Sequence, residues 1–248
     1  MFFIKNLEKS FNCKQVFDKL SLQIKKGKIT AFIGPNGCGK TTLFNVLAGL
    51  IKSDGGDLKI SSFNKFKFSY AFQNYRETLL PWRTNRGNLI FPLQIQKFSG
   101  EKIEQRLNEI MKFACFDLNL KRYPYELSGG QQQILAFLRI LITKPEVLLL
   151  DEPFSALDYD NSLKMLDSLQ EYYMQSKATS LIITHNIEEA LYIADEVVVF
   201  SDSPSKVLGI VENKLPRPRN LETIKSEEFH KIKSEVLELF KQARQDEK

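Results

Sequence analysis

The stretch Ile29-Thr30-Ala31-Phe32-Ile33-Gly34-Pro35-Asn36-Gly37-Cys38-Gly39-Lys40-Thr41-Thr42 joins a compact apolar strand to the start of a helix through a glycine-rich turn. Residues 34–41 fit G-x-x-x-x-G-K-[ST] in the strand-turn-helix setting that the motif requires. Glycines let the backbone wrap around phosphates with its N–H groups inward, and the helix N-terminus adds positive potential. Lys40 is suited to the β- and γ-phosphates, the Thr41 hydroxyl to Mg²⁺, and Thr42 to the α-phosphate. The motif alone does not separate an ATPase from a GTPase or a small-molecule kinase. Cys38 stands beside Lys40 and the helix start, so an accessible, reactive thiolate is expected there, protected by nucleotide.

Strands are expected over residues 2–7, 20–24 and Ile29–Ile33, a helix from Lys40 to about Leu50, and a strand over 57–60. Residues 75 to about 140 change character. Helical periodicity places Ile103, Leu107, Ile110, Met111 and Ala114 on one face, with Pro81, Pro92 and Pro124 as punctuation. From 145 buried strands alternate with helices: 147–150, a helix near 160–176, 180–184, a helix near 187–194, and 197–200. That alternation indicates a parallel sheet with helical crossovers. Near the end, Phe229, Ile232, Val236, Leu239 and Ala243 form one stripe of a helix expected to pack on the core.

Composition narrows the classes. The 248 residues carry 43% hydrophobic and 26% charged side chains, which excludes a disordered, collagen-like or disulfide-framework chain. The longest apolar runs are strand-length, whereas a membrane-spanning helix needs about 20 apolar residues. No secretory signal is expected, so the reading is a cytoplasmic protein. A net charge of +5 fits a lysine-rich solvated surface rather than a nucleic-acid groove, because no basic stripe is interleaved with aromatics. The cysteines at 13, 38 and 115 include no C-x-x-C, so free thiols are expected, not a zinc site or disulfides.

Two further constellations carry chemistry. Val147-Leu148-Leu149-Leu150-Asp151-Glu152-Pro153 is an apolar strand ending in two carboxylates, with Asp151 suited to a metal and Glu152 to polarising an attacking water. Leu127-Ser128-Gly129-Gly130-Gln131 opens a second helix with a capping serine and two glycines, a second ready-made phosphate site.

With these motifs in this order, the sequence over about residues 1–218 resembles the nucleotide-binding subunit of ABC transporters. The resemblance implies a P-loop NTPase (RecA-like) α/β fold, with an N-terminal antiparallel β subdomain and an inserted α-helical subdomain. Residues 1–220 would form the ATP-binding domain, with the helical insertion at about 75–140, and 221–248 a helical tail. It places Phe11 where an aromatic stacks on adenine, residues 34–42 at the phosphates, and Gln73 at the metal and the partner. Ser128, Gly129, Gly130 and Gln131 become the signature that completes a second chain's site. Asp151 becomes the metal aspartate, Glu152 the catalytic glutamate, Ser155-Ala156-Leu157-Asp158 the loop at the dimer interface, and His185 the switch histidine at the γ-phosphate. ATP and Mg²⁺ are the implied cofactors. The implied partners are a second copy or a paralogous ATPase subunit, an integral-membrane permease and, indirectly, a solute-binding protein. The implied location is peripheral, on the cytoplasmic face of the inner membrane.

Two departures stand out. Family members often carry arginine early in the helix after the signature, where this chain reads Gln132-Gln133-Ile134-Leu135, and the segment between Asp57 and Gln73 is short. Leu79-Leu80-Pro81-Trp82-Arg83-Thr84 and Leu215-Pro216-Arg217-Pro218-Arg219 look like the nitrate, sulfonate and taurine importer group, which includes transporters of vitamin precursors. A soluble ABC ATPase outside transport is the competing reading. Such proteins usually show two nucleotide domains or a zinc or coiled-coil insertion, absent from this sequence.

Overall fold

The computed structural model describes residues 2–12, 14–60, 68–114 and 116–245, with side chains to residue 242. Cys13, Cys115, the side chain of Ala243 and part of the short segment before Gln73 lie outside the described residues. In chain order the elements are β1 (Phe2–Phe11), β2 (Lys14–Ile24), β3 (Ile29–Ile33), α1 (Lys40–Leu47), β4 (Gly55–Ile60), β5 (Phe68–Ala71), α2 (Tyr75–Thr78), α3 (Asn85–Ile95), α4 (Gly100–Ile110), α5 (Gly129–Leu141), β6 (Val147–Asp151), α6 (Tyr159–Ser176), β7 (Thr179–Ile183), α7 (Ile187–Ile193), β8 (Glu196–Phe200), β9 (Val207–Glu212), α8 (Leu221–Ile224) and α9 (Glu227–Gln245). They form two compact units, Met1–Asn64 with Ala178–Lys248, and Lys65–Lys177.

In the first unit β3 lies between β7 and β8, parallel to both, in the registers Ile29↔Ser180 and Ile33↔Val199. Every residue of these three strands is buried, the continuous pattern of parallel strands covered on both faces. β9 closes the edge antiparallel to β8. It was not expected from the sequence: residues 207–211 are apolar apart from Gly209, but they lie beyond the alternation of strands and helices that ends at residue 200. The Phe32 ring meets the edges of Phe44 and Phe200 at 5.7 and 5.5 Å, which seats α1 on the sheet. The sheet β2-β1-β4 is antiparallel. Its strands β1 and β2 run longer than expected, because register shifts and positive φ at Asn6 and Lys19 interrupt the alternation without ending the pairing. α1 stops at Leu47, short of Leu50. The tail helix α9 buries Phe229 and Val236, as its stripe requires.

In the second unit β5 and β6 pair in parallel, Ala71 opposite Leu150. α5 buries Ile134, Leu135, Phe137, Leu138 and Leu141. The face expected to run from Ile103 to Ala114 is broken. α4 ends at Ile110, a 3₁₀ turn follows at Met111–Phe113, and Phe113, not Met111 or Ala114, becomes the buried residue. Asn88, fully buried, accepts from Leu80 N–H at 2.8 Å and donates to the carbonyls of Leu80, Arg83 and Thr84, which pins the loop before α3. Among the described residues no helix is long and apolar enough to cross a membrane.

Asp195 locks the entry of β8 to the entry of β3. Its Oδ2 accepts from Ile29 N–H at 2.8 Å and its Oδ1 pairs with Arg217 at 2.9 Å. Burial raises the pKa of this carboxyl, but the Ile29 N–H and the Arg217 guanidinium outweigh it and hold it below the ordinary carboxylate value. A carboxyl depressed on folding contributes stability above its unfolded pKa and loses it as pH falls through the folded value. Asp195→Asn is therefore expected to cost about 3 kcal/mol at neutral pH, by leaving Arg217 unpaired. The deficit should shrink on acidification below about pH 4. Urea unfolding of both proteins at neutral and acid pH measures this. Equal midpoints at neutral pH would remove Asp195 from its bracing role.

Candidate nucleotide-binding site

β3 ends at Ile33 and α1 begins at Lys40, so residues 34–39 arch over the sheet edge. Gly39, the N-cap, has φ 103°, where an L side chain is strained, and a Cβ there would meet Val16 Cγ1 at 2.4 Å. The loop is braced from β8's side: Ser203 Oγ donates to Gly37 O at 3.1 Å, and Ser205 Oγ to Cys38 O. Lys40 Nζ donates to the carbonyls of Gly34 (2.9 Å) and Pro35 (2.7 Å), which spans the arch. Asn36, Gly37 and Thr41 are exposed, and Thr42 half-buried. Phe11, at the end of β1, is 42% exposed with Lys9 Nζ 5.0 Å from its ring centroid, an open face for an aromatic base.

His185 follows the neighbouring strand. β7 runs parallel to β3, so Thr184 and His185 leave the sheet at the same edge as Gly34. His185 is exposed, and its flanks are fixed. Thr184 Oγ1 donates to Glu189 Oε2 at 2.6 Å and accepts from Asn186 N–H at 3.1 Å, while Asn186 Oδ1 caps α7 by accepting from the Glu188 and Glu189 N–H groups.

The other candidate residues lie in the second unit. Asp151 closes β6 and is 2% exposed. Glu152, the next residue, has φ 49° and turns out of the strand, and Gln73 Nε2 donates to its Oε2 at 3.1 Å. The β5–β6 pairing causes this contact, since Gln73 and Glu152 each stand two residues beyond the paired Ala71 and Leu150. Burial, then the charge of Asp151, raises the pKa of the Tyr70 phenol, which keeps it a neutral donor beside that carboxylate.

Ser128 caps α5 in a reciprocal pair. Its Oγ accepts from Gln131 N–H at 3.3 Å, and Gln131 Oε1 accepts from Ser128 N–H at 3.0 Å. The N–H groups of the first turn then lie at an exposed helix start that carries no acidic residue. A Cβ on Gly130 would stand 3.0 Å from Leu157 Cδ2. Ser128, Gly130 and Gln131 line a cavity of about 200 Å³ with Ala156, Leu157 and Asp158. Asp158 caps α6, and the N–H and then the side-chain amide of Asn161 hold its carboxyl below the ordinary value. Of the residues early in α5 where family members often carry arginine, Ile134 and Leu135 are 2% and 0% exposed and pack as core.

Sequence reasoning missed Gln133. It is 4% exposed, donates to Glu152 O at 3.4 Å and accepts from Ala156 N–H at 3.1 Å, so it sets the loop that carries Glu152. The available signal was a glutamine in the apolar phase of Phe137 and Leu141.

Mg²⁺ prefers hard oxygen donors and is usually held by one or two carboxylates plus substrate phosphates. Asp151, Gln73 and Thr41 offer carboxylate, amide and hydroxyl oxygens. Among the described residues no group of three His, Cys, Asp or Glu side chains could hold a metal alone. Each of Asp151, Gln73 and Thr41 supplies a hard oxygen donor of the kind that Mg²⁺ takes together with phosphate.

A sequence profile of the ABC transporter family matches residues 17–155. The chain belongs to that family. An aliphatic sulfonates import ATP-binding protein, SsuB, of Bacillus cereus is 36% identical over 241 residues, 95% of this ABC protein and 92% of the relative. A spermidine/putrescine import ATP-binding protein, PotA, of Thermotoga maritima is 37% identical over 213 residues, 83% of this chain and 57% of that one. Among solved structures, the dimeric ABC transporter cassette MJ0796 is 27% identical with a TM-score of 0.76, covering 87% of this chain and all of that one. The same cassette has also been solved as a dimer in a post-hydrolysis state bound to ADP and Pi. The fold of this ABC protein is accordingly the P-loop ATPase cassette read from the sequence.

One expectation is corrected. Cys38 is not open to solvent: it is 1% exposed, and its Sγ stands 3.5 Å from Lys40 Nζ and 3.1 Å from where a Gly34 Cβ would be. The arch turns its thiol inward because Gly34, lacking a Cβ, leaves the space that sulfur fills. Maleimide in brief exposure to native protein is expected to spare Cys38 and to label it fully in urea, as peptide mapping would show. Rapid labelling of the native chain at Cys38 would contradict this placement.

Proposed function

We propose that this ABC protein is the ATP-hydrolysing subunit of an importer, working as a dimer against a membrane permease at the cytoplasmic face of the membrane. One observation carries the reading. A single chain builds two helix starts suited to phosphate, α1 behind Gly39 and α5 behind Ser128, together with an acidic pair at the end of β6. In our reading residues 1–220 are the ATP-binding domain with its helical insertion at about 75–140, and 221–248 the tail. The names of the import relatives support the importer role. The sulfonate relative and the Leu-Pro-Trp segment favour solutes of the nitrate, sulfonate, taurine or vitamin-precursor kind, delivered by a solute-binding protein.

The chemistry follows from the residues. Residues 34–42 wrap the phosphates of ATP, and Phe11 stacks on the base. Mg²⁺, when bound, neutralises phosphate charge, and Thr41, Asp151 and Gln73 are the residues that would hold it. Glu152 takes a proton from water as the water oxygen bonds to the γ-phosphorus and the bond to ADP breaks. The Gln73 amide orients that carboxylate, and His185 donates to the γ-phosphate. Ser128 and the N–H groups of Gly129, Gly130 and Gln131 complete the site of a second chain, so two ATP molecules hold two chains together until hydrolysis removes the shared charge.

Force leaves through the insertion. A cavity of about 350 Å³ lies among Phe72, Tyr75, Pro92, Gln96, Phe137 and Arg139. It begins next to Gln73 in sequence, and we assign it to the permease. Burial of Arg139 lowers its pKa, and it is held by Thr78 O, so its stem shapes the cavity wall.

Glu152→Gln should bind ATP and accumulate as an ATP-stabilised dimer on gel filtration, with turnover reduced by about 100-fold or more. Turnover at the wild-type rate would remove Glu152 as the base. Gln96→Trp, which fills the cavity, should reduce solute uptake in membranes containing the permease far more than it reduces ATPase activity. Equal loss of both would place the docking face elsewhere. Recovery of the chain without any membrane permease would favour the soluble reading.

A further inference from the structure

The helix after His185 is gripped at both ends by the C-terminal segment. α7 has only seven residues, roughly 10 Å of helix. Its last carbonyls would ordinarily be met by water or a terminal glycine. Here they are met by side chains from 19 to 28 residues further on. Arg219, 1% exposed, donates through Nη1 to Leu191 O (2.9 Å), Tyr192 O (3.3 Å) and Ala194 O (2.7 Å). Its Nη2 and Nε reach back to Leu215 O at 3.1 and 3.3 Å, which ties the fork to its own segment. Asn213 Nδ2 donates to Leu191 O (2.7 Å) and Ala194 O (3.0 Å), and Arg217 donates to Ile193 O. At the other end Lys233 of α9 pairs with Glu188 at 2.6 Å, in the turn whose N–H groups Asn186 caps.

A buried guanidinium is costly to desolvate, and its planar fork fixes direction in a way a glycine cap does not. The fork therefore sets the axial position of α7, and Lys233 sets its first turn. The residue just before the cap of that turn is His185.

We propose that Arg219 and Lys233 are positioning residues that place His185 for ATP hydrolysis, so that the C-terminal segment governs turnover through α7. The inference rests on the reading that His185 meets the γ-phosphate. It assigns residues 213–219, and Lys233 of the tail, a role in the reaction rather than in packing alone.

The test uses the full chain with MgATP. Arg219→Lys keeps the charge and loses the fork. It should lower kcat about tenfold, as a small misplacement of a catalytic group does, and leave the KM for ATP within about twofold. Lys233→Glu, on a partly exposed pair, should lower kcat about threefold at nearly unchanged Tm, because such a pair contributes little stability. Adding Glu188→Lys should restore the rate. The chain has two histidines, so His230→Gln assigns the imidazole resonances by NMR. The His185 signal should move in Arg219→Lys and Lys233→Glu and return in the Lys233→Glu/Glu188→Lys pair.

Wild-type kcat in folded Arg219→Lys and in Lys233→Glu overturns the proposal. So does a fall in kcat with the His185 signal unmoved, which is the mark of a purely structural role. If Arg219→Lys does not fold, the charge-swap pair decides alone, its restored rate supporting the proposal and an unrestored rate overturning it. The underlying reading is separated by His185→Ala. Wild-type turnover in that variant removes the histidine's role, whatever the clamp variants do.

Discussion

Parallel pairing of β3 between β7 and β8 is the constraint from which the first unit's chemistry follows. Three strands in parallel must all end at one edge, so Gly34, Thr184 and Ser201 leave the sheet side by side. Their side chains are buried throughout, and each large apolar one contributes about 1.5–3 kcal/mol. A one-residue slip of β3 would turn Phe32 away from Phe44 and Phe200 and lift the base of α1. The arch over α1 can therefore be made of glycines that have no rigidity of their own, because the strands and Ser203 and Ser205 supply it.

The chain caps two glycine-led helix starts by different means. At α1 the cap is a glycine in the left-handed region, and a lysine spans the loop carbonyls. At α5 the cap is a serine locked reciprocally with Gln131, without a cation in the first turn. The first arrangement carries a full charge and suits a polyphosphate held by one chain. The second has no cation of its own first turn, but the Arg76 guanidinium and the Tyr75 hydroxyl stand within 3.3 Å of where a Gly129 Cβ would be, beside the backbone dipoles.

Much of this was legible in the residues. Strands buried on both faces are apolar without interruption, and the motifs at 34–41, 127–131 and 151–152 sit where strands end and helices begin, so both fold and candidate site could be read. What escaped depends on contacts distant in sequence. β9 is apolar but carries Gly209 in its middle and follows no helix, so the alternation of strands and helices gives it no place; it pairs antiparallel to β8 at the open edge. Phe113 enters the core because α4 tightens into a 3₁₀ turn, which shifts the phase of the periodicity. Cys38 was judged by its neighbours in sequence, whereas its burial is decided by the missing Cβ of Gly34. Gln133 and Arg219 reach carbonyls 19 and 25–28 positions away; the helical phase of Gln133 hints at its burial, but no local pattern names the acceptors of either.

The reciprocal cap at Ser128 decides how the start of α5 responds to its surroundings. Hydroxyl, carboxamide and backbone amides have no proton to gain or lose between pH 5 and 9. The cap itself is thus indifferent to acidity over that range. A group that titrates near it, such as the Asp158 carboxylate lining the same cavity, is held ionised by Asn161 and so leaves the charge around the cap unchanged there as well.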